Sequence, residues 1–564
     1  MTSHTRDGAV PWPPEDAARY RAKGYWEDKP LGAYILEAAD RFPERTALVD
    51  GDARISYREL ADRMDAAAGR LLDLGLRQDD RILVQLPNCW QFTVLTLACF
   101  RAGIVPVMAL PAHRQFELSY LAELSESRAI AVRDTIKDFS HQDLAKHIAA
   151  GTPAMSHVLV SGRVDQGNVD LDALLAPGGD PINARKQFDA AAPAGDDTAC
   201  FLLSGGTTGL PKLITRTHND YAYNIKATSA VTNVTADTVY LGTLPVSHNF
   251  PLACPGILGV LFAGGRVVML PSPEPGKAFA AIEREGVTLC TAVPAVVQRW
   301  LEYRQETDRQ ETDRQETDQL ETLEVLQVGG SRLADEIARK VKPVLGATLQ
   351  QVFGMAEGLI NMTRLDDPED VVCTTQGRPV SEADEIRIVD ESGTDLPDGV
   401  AGAILTRGPY TPRGYYRADE HNARAFTPDG WYGSGDIVER RPDGNLVVQG
   451  RDKDMINRGG EKISAEEIES LVYRLDAVTL AAAVSMPDAL LGEKLCLFVT
   501  LKPGTALTLS DVQESLRRTG VAAFKIPEKL VVVDEIPTTK VGKINKKQLR
   551  EEVARMLQAS GNTG

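Results

Sequence analysis

The sequence predicts an α/β protein that ends in a smaller α+β unit. Three observations carry this. Between residues 47 and 108, short apolar runs alternate with segments of helical spacing, the pattern of βαβ units around parallel sheet. From about 374 to 450 the texture changes to short alternating segments between Gly, Pro and Asp turns, which suits antiparallel sheet or a small β-barrel. After Gly450 a polar stretch, Arg451-Asp452-Lys453-Asp454, leads into a compact mixture of helix and strand.

In order, residues 1–30 are polar and proline-punctuated and read as an irregular lead-in. A helix is expected over 31–42, and a strand over 47–50 that turns at Asp50-Gly51-Asp52 into a partner through Tyr57. An amphipathic helix follows to Leu74, where Gly75 ends it. Arg81–Leu86 is a buried strand, Trp90–Ala102 a buried helix stopped at Gly103, and Val105–Met108 the next strand. Residues 111–200 continue with weaker signals. Further on, 218–231 is helical, and 239–245, 266–270 and 287–293 are strands. Segments 323–330 and 349–353 are strands around a helix at 334–344. The final unit reads helix 465–472, strands 478–484 and 495–501, helix 509–519, strand 530–533 and a terminal helix. A domain boundary is expected at 450, giving domains 1–450 and 451–564.

Arg304-Gln305-Glu306-Thr307-Asp308 recurs as Arg309–Asp313 and Arg314–Asp318. A five-residue period makes no apolar stripe on a helix, so a solvated helix extension or loop is expected there.

With 564 residues the chain can bury large cores. An apolar fraction of 43% and an aromatic fraction of 6% are those of a globular protein. A net charge of −17 argues against non-specific nucleic-acid binding and against anionic membranes. No apolar run reaches membrane-spanning length, and the N-terminus lacks the apolar core of a signal peptide. The seven cysteines form no C-x-x-C pair, so neither a zinc site nor a disulfide frame is indicated. A cytoplasmic setting is expected.

One run stands out: Ser204-Gly205-Gly206-Thr207-Thr208-Gly209-Leu210-Pro211-Lys212, after the strand-like Ala199–Leu203. Glycines allow close backbone approach, and successive N–H groups in such a turn can form an anion nest. By itself the run is either a polyphosphate cradle or a glycine-rich surface loop. A P-loop is excluded, because that motif needs G-x-x-x-x-G-K-[ST] and here Pro211 precedes Lys212 and Leu213 follows. Five other stretches accompany it. They are His248–Leu252, Gln351–Gly358, Tyr432–Asp436, Gly450–Ile463 and Pro537–Lys543.

In this order and spacing the six stretches resemble the motifs of the adenylate-forming superfamily, which includes acyl-CoA synthetases, luciferases and nonribosomal peptide adenylation domains. The glycine-rich run departs modestly from that family's pattern at Leu203, Ser204 and Gly205. The resemblance implies a large N-terminal domain of two α/β sheet subdomains plus a small β-barrel, followed by a small mobile C-terminal domain. It implies ATP and Mg²⁺ as cofactors. Ser204 to Gly209 and Lys212 would clamp the phosphates; Gly330, Gln351, Val352, Phe353, Gly354, Met355 and Ala356 would line the nucleotide, with Phe353 on adenine. Asp436 and Arg451 would hold the ribose, Lys453 and Lys462 would lie on the nucleotide side, and Glu357 would bind the metal. Lys543 is the catalytic residue implied for adenylation, Lys453 the hinge, and Gly459-Gly460 the loop presented for thioester formation.

His248-Asn249-Phe250-Pro251-Leu252 is similar to the run found in aryl-acid adenylating enzymes of siderophore pathways. That resemblance places Asn249 on the 2-hydroxyl of an aryl acid, with His248, Phe250, Gly329, Gly330, Val352 and Lys543 around it. Five residues on, enzymes for 2,3-dihydroxybenzoate carry serine; this chain has Cys254. A thiol is a poor hydrogen-bond partner, so salicylate is the expected acid. An aryl carrier protein bearing phosphopantetheine is the expected acceptor, as in salicyl-AMP ligases of the mycobactin type. A 2,3-dihydroxybenzoate ligase, an aryl-CoA ligase and a non-catalytic nucleotide-binding scaffold are the competing readings.

Overall fold

The computed structural model describes residues 7–204, 211–310, 320–451, 454–458, 461–488, 491–519, 521, 523–539 and 543–561. Two large sheets form its frame. The first has nine strands, in the spatial order Arg378–Pro379, Ile360–Met362, Thr348–Gly354, Val325–Gly329, Leu289–Ala292, Val239–Gly242, Arg266–Met269, Thr46–Asp50 and Ala53–Ser56. Its middle is parallel, and antiparallel strands close both edges. The second has seven, in the order Leu213–Thr217, Thr198–Leu203, Val105–Met108, Arg81–Gln85, Ala129–Arg133, His157–Ser161 and Val169–Asp170. Parallel strands covered on both faces need apolar residues throughout; Ile82, Leu83 and Val84 are accordingly all buried. The helix Trp90–Ala102 is buried nearly all round and ends where Gly103 takes φ +68°.

The α/β expectation holds for both sheets, and the alternating region from Glu385 onwards is antiparallel. That region is an open four-stranded sheet, Glu385–Val389, Gly402–Arg407, Tyr432–Arg440 and Leu446–Arg451. Among the described residues no pairing joins its outer strands, so the expected small barrel is a sheet. Leu446 pairs instead with the 376–377 segment beside the nine-stranded sheet, through Gln376 N–H to Leu446 O (2.8 Å) and Leu446 N–H to Gly377 O (2.8 Å). The final unit holds a five-stranded sheet of Ile456–Arg458, Glu461–Ile463, Val478–Asp488, Gly492–Leu501 and Lys529–Val532, with helices Ala465–Val472, Leu509–Arg518 and Lys546–Gly561. It touches the rest of the molecule through Arg474 and Glu336 (3.3 Å) and through Tyr473, which packs against the core behind the nine-stranded sheet.

Two expectations are corrected. The lead-in contains a helix, Pro14–Ala22, whose proline at the first turn starts it. Its Tyr20 joins Trp12 and Trp26 in a small aromatic cluster. The strand expected over 239–245 stops at Gly242, whose carbonyl still accepts from Leu270 N–H beside it (3.1 Å); beyond it the Leu244 carbonyl accepts from the buried Asn88 amide (2.9 Å). The helix Pro294–Gln310 takes in the first Arg304–Asp308 unit; the later repeats fall largely outside the described residues.

His218 offers a check on this packing. It is fully buried, and its Nδ1 accepts from Leu31 N–H (3.1 Å) at the start of helix Leu31–Arg41. Burial pushes its imidazole from 6.5 down to about 3. A depressed folded value means that the neutral ring's contribution is complete above 6.5 and is lost as pH falls towards 3. Chemical denaturation between about pH 7 and about pH 5 should show stability falling with acid. His218→Gln, which retains an acceptor, should flatten that slope by up to about 1.4 kcal/mol per pH unit.

Candidate active site

Many of the expected site residues lie at the carboxyl ends of strands from both large sheets, where ligands bind in open α/β sheets. Strand Thr198–Leu203 leads into the glycine-rich run, and Leu213–Thr217 returns from it, with Leu203 opposite Leu213. Ser204 N–H donates to Lys212 O (3.0 Å), and Lys212 N–H donates to Ser204 Oγ (3.0 Å). Ser204 and Lys212 thus close the base of the loop. Gly205, Gly206, Thr207, Thr208 and Gly209 lie outside the described residues. The Lys212 ammonium stands 5.8 Å from the centre of the Tyr415 ring.

Tyr415 connects this loop to Glu357. Its hydroxyl donates to Glu357 Oε1 (2.7 Å) and lies 3.2 Å from the Tyr432 hydroxyl. Burial, then the Glu357 charge, pushes both phenols well above their ordinary value, so they remain donors. Glu357 is buried, and its Oε2 accepts from no described residue. One free anionic oxygen fits a hard cation that keeps waters and phosphate oxygens as its other ligands. Among the described residues no group of three His, Cys, Asp or Glu could hold an ion by itself.

Asp436 and Arg451 face each other across neighbouring strands. Arg451 Nε donates to Asp436 Oδ1 (2.8 Å), and Ser434 Oγ donates to Oδ2 (2.7 Å). Burial works against the Arg451 charge, but Asp436 outweighs it and leaves the guanidinium above its ordinary value.

Lys543 enters from the final unit. Its Cε lies 3.4 Å from where a Cβ on Gly330 would stand, and Gly330 has φ +89°. Its main chain is clipped to Thr539 in both directions, by Lys543 N–H to Thr539 Oγ1 (3.2 Å) and Thr539 N–H to Lys543 O (2.6 Å). Burial, then the neighbouring Arg451, lowers its pKa from the ordinary lysine value. Among the described residues no carboxylate forms an ion pair with it. His248 senses the same charge: burial, then Lys543, brings its imidazole down to about 4, so it is neutral at physiological pH.

Near Lys543 lies an apolar cluster. Cys254 and Val352 cluster with Ile360, Met362 and Tyr410, and Phe250 packs against them. Phe250 can do so because Gly329 has no side chain; a Cβ there would meet its ring at 3.1 Å. A polar group against this cluster is Asn249, at the start of the short helix Asn249–Ala253 and buried. Tyr221 Oη donates to Asn249 Oδ1 (2.9 Å), and Asn249 Nδ2 donates to Cys254 Sγ (3.3 Å). Burial raises the Cys254 thiol to about 12, so it stays protonated.

Most of the other expected residues lie in this region. Phe353 and Ala356 are half-buried, Gly354 is exposed and Met355 is buried, on or just after strand Thr348–Gly354. Gln351 is different: its side chain donates to Val372 O (2.7 Å) and accepts from Gln376 (3.3 Å), leaving only its main chain to face a ligand. Lys462 falls in strand Glu461–Ile463. Lys453, Gly459 and Gly460 lie outside the described residues. Sequence reasoning missed Tyr221, Tyr415 and Tyr432, which hold Asn249 and Glu357 in place. Their partners stand 28 and 58 residues away, and no local pattern marks such pairs.

The model of the AMP-binding enzyme family matches residues 35–416, and that of the AMP-binding enzyme C-terminal domain matches 467–543. The chain belongs to the AMP-binding enzyme family. It is 58% identical, over 97% of its length and 98% of the relative's, to a Streptomyces protein named salicylyl-CoA synthase / salicylate adenylyltransferase. It is 45% identical to a salicyl-AMP ligase / salicyl-S-ArCP synthetase of Mycobacterium tuberculosis, over 96% of this chain and 94% of the relative. The apo structure of MbtA from Mycobacterium smegmatis superposes with a TM-score of 0.72 at 44% identity, covering 97% of this chain and 99% of that one. The resemblance to adenylate-forming enzymes, and to their aryl-acid branch, is borne out. No helix among the described residues is long and apolar enough to cross a membrane.

Gly330→Ala tests the approach of Lys543. A side chain at φ +89° should cost about 1 kcal/mol of stability in thermal unfolding. The new methyl group, 3.3 Å from Val293 Cγ1 and 3.4 Å from Lys543 Cε, should also reduce turnover by this family member. Unchanged turnover would mean that Lys543 works from elsewhere.

Proposed function

We propose that this enzyme activates a 2-hydroxyaryl acid, salicylate above others, and passes the aryl group to a pantetheine thiol. The observation that carries this is the Asn249 amide held between Tyr221 and Cys254 against an apolar cluster, which we read as the aryl slot. In the first step a carboxylate oxygen attacks the α-phosphorus of ATP. The bond to the bridging oxygen breaks, and pyrophosphate leaves with the electron pair. Two anions must meet, so unpaired positive charge and fixed donors dominate the barrier. Lys543, unpaired among the described residues, neutralises the carboxylate and α-phosphate oxygens. His248, neutral in the field of Lys543, adds no charge of its own. Lys212 and the loop that it closes hold the outer phosphates, Asp436 and Arg451 the ribose, and Phe353 the adenine. Glu357 would hold Mg²⁺, which supplies charge neutralisation at the phosphates. In the second step the thiol sulfur bonds to the acyl carbon and AMP departs.

Cys254 directs the choice of acid. Its sulfur already receives Asn249, and the Asn224 amide stands 3.9 Å away. A 3-hydroxyl placed there would meet a weak partner, whereas a 2-hydroxyl meets the Asn249 amide. A polar group inside an apolar slot rejects acids that lack its partner. Domains of 1–450 and 451–564, the second turning about Lys453 between the two steps, complete the reading. A carrier protein is the proposed acceptor. Coenzyme A is the second reading, since the 58% identical relative is named for a CoA thioester.

ATP–pyrophosphate exchange with salicylate, 2,3-dihydroxybenzoate and benzoate tests the assignment. Salicylate should have the highest kcat/KM, and a preference for dihydroxybenzoate would overturn the role of Cys254. Cys254→Ser should move the salicylate-to-dihydroxybenzoate ratio towards dihydroxybenzoate by roughly tenfold, the effect of one buried hydrogen bond. Lys543→Ala should reduce exchange by at least roughly a hundredfold while thioester formation from supplied aryl-adenylate falls far less; equal losses would remove Lys543 from the first step.

A further inference from the structure

The Asn249 side chain can present either end to a substrate, because an amide is a donor at nitrogen and an acceptor at oxygen. Here its neighbours remove that freedom. The Tyr221 hydroxyl donates to Oδ1 at 2.9 Å. Tyr221 is fully buried, and among the described residues its proton has no other acceptor. Turning the amide over would strand that proton in the core, a costly loss for a buried donor. Tyr221 is itself held firmly. The Arg216 guanidinium lies 4.7 Å from the centre of its ring. Arg216 is in turn pinned by Asp220 (2.6 Å) and by Ala356 O (3.0 Å). At the other end of the amide, Nδ2 points one proton at Cys254 Sγ (3.3 Å) and keeps a second.

We propose that Tyr221 is a positioning residue that locks Asn249 as a hydrogen-bond donor, so that the slot selects acids whose 2-substituent is an acceptor. The inference rests on the reading of Asn249 as the partner of that substituent. A 2-hydroxyl satisfies the slot: its proton turns inwards to the adjacent carboxylate, and an oxygen lone pair faces Nδ2. A 2-amino group does not. Its nitrogen lone pair is delocalised into the ring, and its outward proton confronts the remaining proton of Nδ2. Size does not separate the two, since amino and hydroxyl groups differ by one hydrogen. The discrimination is one of hydrogen-bond polarity, and it originates in a residue that does not touch the substrate.

The test compares salicylate with 2-aminobenzoate in ATP–pyrophosphate exchange, each normalised to benzoate in the same protein. Benzoate has no 2-substituent, so any general loss of fold or activity cancels. The unaltered enzyme should favour salicylate over 2-aminobenzoate by at least roughly tenfold. In Tyr221→Phe the amide is free to turn, and the ratio should fall by a similar factor, with 2-aminobenzoate gaining relative to benzoate. The unaltered enzyme treating the two acids alike would overturn the proposal, and so would a ratio unchanged in Tyr221→Phe. If salicylate has no advantage over benzoate in the unaltered enzyme, the reading of Asn249 falls and takes this one with it. A salicylate advantage over benzoate with an unmoved ratio sinks the role of Tyr221 alone.

Discussion

The ammonium of Lys543 sits beside Gly330 with no carboxylate paired to it among the described residues, and burial lowers its pKa. A half-buried charge without a partner is unfavourable in the empty protein and becomes favourable when anions arrive. Much of the surrounding architecture serves that situation. Gly330 gives the side chain room. Arg451, whose charge also lowers the Lys543 pKa, is tied to Asp436. His248 is kept neutral. Where a reaction joins two anions, groups already oriented towards them need no reorganisation during the step.

The same economy governs the carboxylate opposite. Glu357 has one oxygen taken by Tyr415 and, among the described residues, one left over. The tyrosine lies beneath the Lys212 ammonium, so the base of the glycine-rich loop and the expected metal ligand share one support. Arg216 extends the link: it reaches Ala356 O next to Glu357 and stacks on Tyr221, which holds Asn249. One buried arginine therefore links the surroundings of Glu357 to those of Asn249. Its own partner, Asp220, also caps the helix His218–Val231.

Much of this was legible in the sequence. The parallel strands announced themselves as short apolar runs between helical segments, because a strand covered on both faces tolerates little else. The candidate site was legible as six short motifs, because groups expected to meet phosphate, ribose or acid lie on turns where chain order and chemistry coincide. The lead-in helix was hidden by prolines that begin it instead of breaking it. The strand expected through Pro245 ends at Gly242, and the Leu244 carbonyl beyond it goes to Asn88, a residue more than a hundred and fifty positions away. The four-stranded sheet was open where a barrel was expected, since closure depends on which edge meets which neighbour.

By itself the sequence determined the class of fold, the family and the candidate site residues, for these follow from local pattern and side-chain chemistry. The tertiary structure decided their state. It made Asn249 a donor through Tyr221, left Lys543 unpaired among the described residues while tying Arg451 to Asp436, kept His248 neutral, and turned Gln351 into the core. Each of those outcomes is set by a neighbour distant in sequence, and a hydrogen bond or a desolvation effect exists only once the two groups are brought together.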